Sequence, residues 1–172
     1  MNYKKIIINT ILIFVICSFF HFGYDLCPNF FTSLFFPVNE SIWEHLKLIF
    51  SSSLVFTFIS DTIKHNKNTF IRAYSRSMLT IIILLVIYLP IHYLFGEILV
   101  ITLLILFISI LISEMITSLI STEKQNQKFN VICAILLIIN FILFAILTYY
   151  PIKCDLFFDQ QSNKYGIDIL NK

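Results

Sequence analysis

The chain is 172 residues long, 58% hydrophobic and only 13% charged, with a mean hydropathy of +0.87. That composition excludes a soluble globular domain, and a net charge of +2 excludes the dense basic surface that a nucleic-acid partner demands. Several apolar runs of about 20 residues match the length that crosses a ~30 Å hydrocarbon layer. The expectation is an all-α integral membrane protein, a five-span helix bundle with the lipid bilayer as its first partner.

The first span is read at 5–22. Lys4 and Lys5 before an apolar run imitate a signal peptide, but no small-x-small cleavage site follows, so the segment is expected to stay as a helix. The connection 23–40 is aromatic and too short to cross. It is expected to lie at the interface, with Phe31, Leu34 and Phe35 towards lipid, or to pack as a greasy loop on the bundle.

Span two, about 41–63, opens on Ser41-Ile-Trp-Glu44, which fits a capping box in which serine and glutamate satisfy each other's backbone N–H groups. Trp43 suits the membrane interface. A basic loop, 64–76, leads to span three at 77–94. Gly96 turns the chain into span four, 97–120. A polar loop, 121–128, precedes span five, 129–150. Pro151 ends that helix, so residues 1–150 form the transmembrane domain and 151–172 a polar tail that could cover the outer surface.

Lys and Arg are retained on the cytoplasmic side. Lys4, Lys5, Lys64, Lys67, Arg72, Arg76, Lys124 and Lys128 fall on the N-terminal side of the alternating spans, against Lys153, Lys164 and Lys172 on the other. The predicted topology is N-in, C-out, and it accounts for the loop lysines without a lipid or nucleic-acid ligand. The cysteines form no C-x-x-C. Cys17 and Cys133 read as apolar fillers; Cys27 and Cys154 fall on one side and are left either paired or free.

The stretch Pro37–Lys47 gathers Asn39, Glu40, Glu44, His45 and Lys47 beside an apolar span. Ionisable groups next to lipid are site candidates by default. Glu40, Glu44 and Lys47 share a helical face, and Glu44 with Lys47 can pair at i, i+3 unless Lys47 snorkels to the surface. His21 and Asp25, at i, i+4, are expected at the same depth. So is His92, which lies as far from Arg76 as His21 from Lys5, roughly 24 Å along the helix.

The predicted outer-leaflet site is therefore His21, Asp25, Asn39, Glu40, Glu44, His45, Lys47 and His92. Its readings are a helix-linking network, a pocket for a lipid head group or small polar ligand, or a zinc-like divalent metal. The metal set would be His21, Asp25, His45 and His92, with Glu44 as base or Glu40 as an extra ligand. Glu114 lies in the inner half of span four. It suggests either a proton or ion path or interhelical hydrogen bonding among the neighbouring serines and threonines.

Ser41-x-x-x-His45 resembles the serine and histidine of intramembrane ceramidase-type hydrolases, but the H-x-x-x-H pair of their late span has no counterpart in spans four and five. The whole eleven-residue stretch Pro37-Val-Asn-Glu-Ser-Ile-Trp-Glu-His-Leu-Lys47 resembles the signature of a family of small multi-pass bacterial membrane proteins of unknown function. His21-x-x-x-Asp25 and Asp155-Leu-Phe…Tyr165-Gly166 resemble it too, so the likeness covers nearly the whole chain. It implies a bacterial protein of the cytoplasmic membrane and brings no catalytic assignment.

Three functions follow: binding at the outer polar site, metal-dependent intramembrane hydrolysis by the same residues, or a proton- or ion-coupled transporter component. With only five spans, the last also requires an oligomer.

Overall fold

The computed structural model describes residues 2–120 and 126–167. The predicted loop 121–128 and the end of the tail lie partly outside them. Among the described residues the chain forms seven helices: α1 (Tyr3–His21), α2 (Gly23–Leu26), α3 (Phe30–Phe35), α4 (Ile42–Lys64), α5 (Thr69–Phe95), α6 (Leu99–Ile120) and α7 (Gln127–Tyr149). A 3-10 turn, Asp155–Phe157, leads into a small antiparallel hairpin of β1 (Phe158–Asp159) and β2 (Lys164–Tyr165). Phe158 stands opposite Tyr165 and Asp159 opposite Lys164.

Five helices, α1, α4, α5, α6 and α7, are long and apolar enough to cross a membrane. They run alternately up and down. One end of the bundle gathers Lys5, Lys64 and Arg72 and is called here the basic end. The opposite end carries α2, α3 and the terminal hairpin and is called the hairpin end.

α4 packs against α1 and α5, and α6 packs against the same two, which closes a ring of four helices. α7 docks outside the ring on α5, with α3 laid across it. α4 is the most enclosed: 61% of its most apolar window is buried, against 22–28% for the other four. Its Leu46, Ile49 and Phe50 form a core with Ala73, Leu84 and Tyr88 of α5 and Phe144 of α7.

The outward faces of α1, α6 and α7 carry Ile7, Ile11, Leu104, Ile135, Ile138 and Ile142, all exposed. A water-soluble monomer does not display apolar surface on that scale. In lipid, the same surface needs no further cover.

Small hydroxyl residues fill the closest helix contacts. Ser52, Thr57, Ser77, Thr80 and Ser109 each donate to the carbonyl four residues earlier in their own helix, at 2.6–2.8 Å. Their own protons are satisfied locally, within their helices. Ser113 differs, donating from α6 to the Arg76 carbonyl of α5 at 2.9 Å.

The short segments between α1 and α4 present Phe30, Phe31 and Phe35 outward. Ser33 faces in, with its hydroxyl 2.6 Å from the Tyr149 hydroxyl.

The predicted basic loop 64–76 is only partly a loop. α5 already begins at Thr69, so Arg72 and Arg76 are helical. The first-turn N–H groups of Phe70 and Ile71 donate to Asn130 Oδ1 of α7, at 3.1 and 3.2 Å. A side chain from another helix thus caps α5, which lets it start earlier than its own apolar run.

Candidate functional site at the hairpin end

Side-chain bonds to the backbone shape this end. Asn39 Oδ1 accepts from the Ser41 N–H at 2.9 Å, and Asn39 Nδ2 donates to the Gly166 carbonyl at 2.9 Å. The same side chain therefore bends the approach to α4 and pins the end of the tail. Ser41 is the N-cap of α4, with its hydroxyl accepting from the Glu44 N–H at 3.4 Å.

The second half of the expected capping box does not form there, because the Glu44 carboxylate points inward. A reciprocal box closes at α3 instead, between Asn29 and Thr32.

Glu44 and Lys47 are each 1% exposed. Lys47 Nζ lies 2.5 Å from Glu44 Oε2 and also donates to the Ser33 carbonyl at 2.8 Å and Thr148 Oγ1 at 3.0 Å. Glu44 accepts from the Val38 N–H at 3.1 Å and from Thr148 Oγ1 at 2.7 Å. Lys47 does not snorkel, and neither residue is free to serve a ligand.

The tail folds back over this end. Phe157 is buried and packs on Trp43, ring centroids 4.8 Å apart, while Phe144 packs on Trp43 at the same distance. Trp43 is a sandwich between α7 and the tail rather than a free interface anchor. The Ile167 N–H donates to the Thr148 carbonyl at 3.0 Å. Gly166 stands at φ +59, and a Cβ there would lie 2.5 Å from that carbonyl.

Beside the buried pair lies the open cluster. His21 ends α1, Glu40 sits in the turn, and His45 lies on the first turn of α4. Glu40 Oε2 is 3.4 Å from both His21 Nε2 and His45 Nε2. The possible donor atoms of the three residues all lie within 4.8 Å of one another. Each side chain is about a third exposed, at 29–33%.

His45 Nδ1 is 2.9 Å from the Ser41 carbonyl. A carbonyl only accepts, so Nδ1 carries a proton, and Nε2 is the ring nitrogen that faces Glu40. The His21 hydrogen bond holds the Glu40 carboxyl below its ordinary range, and the His45 imidazole adds to the effect.

The cluster opens on a cavity of about 70 Å³. Glu40 and His45 border it, with Tyr88, His92 and Glu97 of the α5–α6 corner and Asp155 of the tail, and much of the remaining wall is apolar, from Ile42, Leu48, Ile49, Leu84 and Leu106. His92 is held to its own helix, with Nδ1 3.1 Å from the Tyr88 hydroxyl and the two rings stacked at 5.2 Å. Asp159 also borders the cavity, but its carboxylate accepts from the Gln161 N–H at 2.9 Å and caps the hairpin turn.

Of the residues expected at this end, His21, Glu40 and His45 come together, His92 faces the cavity from across it, and Asp25 is exposed on α2 and is not one of the three clustered residues. Among the described cysteines all four thiols are free, and Cys27 and Cys154 are not bridged.

At the basic end Glu114 is 3% exposed and forms a two-pronged ion pair with Arg76 of α5. Asn9 of α1 donates to the same carboxylate at 2.9 Å. Arg76 also donates to Thr57 Oγ1 of α4 and lies over the Phe56 ring, 5.0 Å from its centre. Four helices meet on this one carboxylate and guanidinium. Asn9, Arg76, Ser33 and Thr148 were not among the predicted site residues. Asn9 carries one sequence signal, an amide within the largely apolar first span.

Five helices long and apolar enough to cross a membrane, with apolar outer faces and ionisable groups turned inward, make up a bundle of the helical membrane-protein class. The chain belongs to the family of unknown function DUF6512, which matches residues 1–167. No curated protein and no solved structure matches the chain.

Proposed function

We propose that this protein lies in a bacterial cytoplasmic membrane and binds a zinc-like divalent cation through His21, Glu40 and His45. The basic end faces the cytoplasm and the hairpin end faces outward, in keeping with the retention of Lys and Arg inside. The cation is presented to a small polar ligand, such as part of a lipid head group, in the adjoining cavity.

The observation that carries this reading is the meeting of two imidazoles and one carboxylate within 4.8 Å, drawn from three separate segments. Two histidines and a carboxylate are a recurrent ligand set for such ions and leave coordination positions open. The cavity, at about 70 Å³, adds a small space beside these donors, bordered by the carboxylates of Glu40, Glu97 and Asp155.

A second reading, hydrolysis, draws on the same open positions. A metal-bound water is a nucleophile at neutral pH, and Glu97 and Asp155 offer carboxylates on the cavity wall. The transporter reading finds less support, since the Glu114 carboxylate is engaged by Arg76 and Asn9.

Metal analysis tests the proposal. Protein purified without chelator and washed free of loose ions retains close to one equivalent of zinc or a similar ion. Metal-free protein that takes up no divalent ion in a calorimetric titration would rule the reading out.

A further inference from the structure

A second cavity, of about 220 Å³, opens at the basic end between α1, α4, α5 and α6. Its wall carries four cations, Lys5, Lys64, Arg72 and Arg76, and two carboxylates, Asp61 and Glu114. Both carboxylates are already engaged, Glu114 by Arg76 and Asp61 by Arg72. Asp61 also accepts from Asn66 Nδ2 at 2.9 Å.

Lys5 and Lys64 form no ion pair among the described residues, and Lys64 Nζ donates only to the neutral Ser60 hydroxyl, at 2.9 Å. Thr117 Oγ1 borders the same cavity, is buried at 2% exposure, and has no hydrogen-bond partner.

The wall thus has a surplus of positive charge and of donors. Surplus positive charge repels a cation, and the polar lining disfavours an apolar guest. The volume holds several waters, and so a tetrahedral oxyanion. The cavity lies where α1 begins and α4 ends, the height at which head groups meet a spanning bundle. Basic pockets between membrane helices at that height suit anionic head groups.

We propose that this cavity binds a phosphate group, carried by an anionic lipid head group or present as free phosphate. Lys5 and Lys64 supply the unpaired charge, and the Thr117 hydroxyl supplies a further hydrogen-bonding group. The site is separate from the histidine cluster and stands or falls independently of it.

The test uses the full chain in maltoside micelles, which contain no phosphate. Thermal unfolding is followed while inorganic phosphate is titrated against chloride at matched ionic strength. In a second arm, short-chain phosphatidic acid is titrated against the corresponding diacylglycerol. A saturable rise in Tm with phosphatidic acid alone identifies the lipid source; a rise with both phosphate-bearing probes shows that free phosphate suffices.

In a Lys5→Gln, Lys64→Gln variant, in which both replaced side chains are exposed, the midpoint of the rise moves to about tenfold higher concentration or more. Absence of a saturable rise with either probe overturns the proposal. So does a rise that is unchanged in that variant.

Discussion

Lys47 places its ammonium 2.5 Å from the Glu44 carboxylate, with both side chains 1% exposed. The pair links three segments, because Lys47 also bonds the Ser33 carbonyl of α3 and the Thr148 hydroxyl of α7. Removing one partner of a buried pair leaves the other charge stranded, at a cost of roughly 3–5 kcal/mol. Lys47→Met is therefore expected to destabilise the protein by about that amount in equilibrium unfolding in micelles. Glu44→Gln combined with Lys47→Met is expected to recover part of the loss. A single variant as stable as the parent would remove the pair from its place as the joint of this end.

Metal retention separates the cluster from its neighbours. His45→Ala, His21→Ala and Glu40→Gln are each expected to lower affinity for zinc at least tenfold, about 1.4 kcal/mol. His92→Ala and Asp25→Asn, at positions outside the cluster, should leave stoichiometry unchanged. Equal losses at His92 would restore the wider ligand set expected from the sequence and count against the cluster as built.

Acid should loosen the same end. The His21 hydrogen bond holds Glu40 below its ordinary value of 4.5 in the folded protein. A carboxyl with a depressed folded-state value adds stability that is complete above its unfolded value and is lost as pH falls through the folded one. Thermal scans of metal-free protein from about pH 6 down to about pH 3 should show a decline that is shallower in Glu40→Gln. Identical acid limbs would place the loss on other groups.

The tail offers an optical readout, since the chain has one tryptophan. Trp43 stacks on Phe157 at 4.8 Å, and the tail is held by Gly166, where an alanine Cβ would meet the Thr148 carbonyl. A non-glycine residue in the left-handed region costs about 1–2 kcal/mol before any clash. Gly166→Ala should therefore shift Trp43 emission to the red and speed tryptic cleavage at Lys153 and Lys164. Unchanged emission and cleavage would show that the tail docks without this close approach.

Much of the bundle was legible because apolar run length is a local property of the chain. Five runs long enough to cross gave five long helices, and the basic residues between them marked one end. What was not legible depends on partners distant in sequence. The start of α5 rests on Asn130, 60 residues from Phe70, so Arg76 looked like a loop cation. Glu44 fitted a local capping pattern, but a buried lysine one turn on and Thr148 from α7 claimed its carboxylate.

Counting residues gave the height of each histidine but not its bearing around the bundle. His21 and His45 face each other at 5.3 Å between ring centres, whereas His92, at a similar expected height, stacks on Tyr88. Glu40 meets both histidines because it sits in the turn between their helices, a position that no helical-face count describes.

The enclosure of α4 has a consequence for how the protein is made. It is the least hydropathic of the five long helices and carries Glu44, Lys47 and Asp61. Charged residues weaken a helix's own partitioning into lipid. Two of the groups that satisfy them, Thr148 for the Glu44–Lys47 pair and Arg72 for Asp61, lie later in the chain and leave the ribosome after α4 does. A nascent chain ending just beyond α4 should hold that helix in the membrane less firmly than the finished protein, so secure integration is completed retroactively, when α5 and α7 arrive.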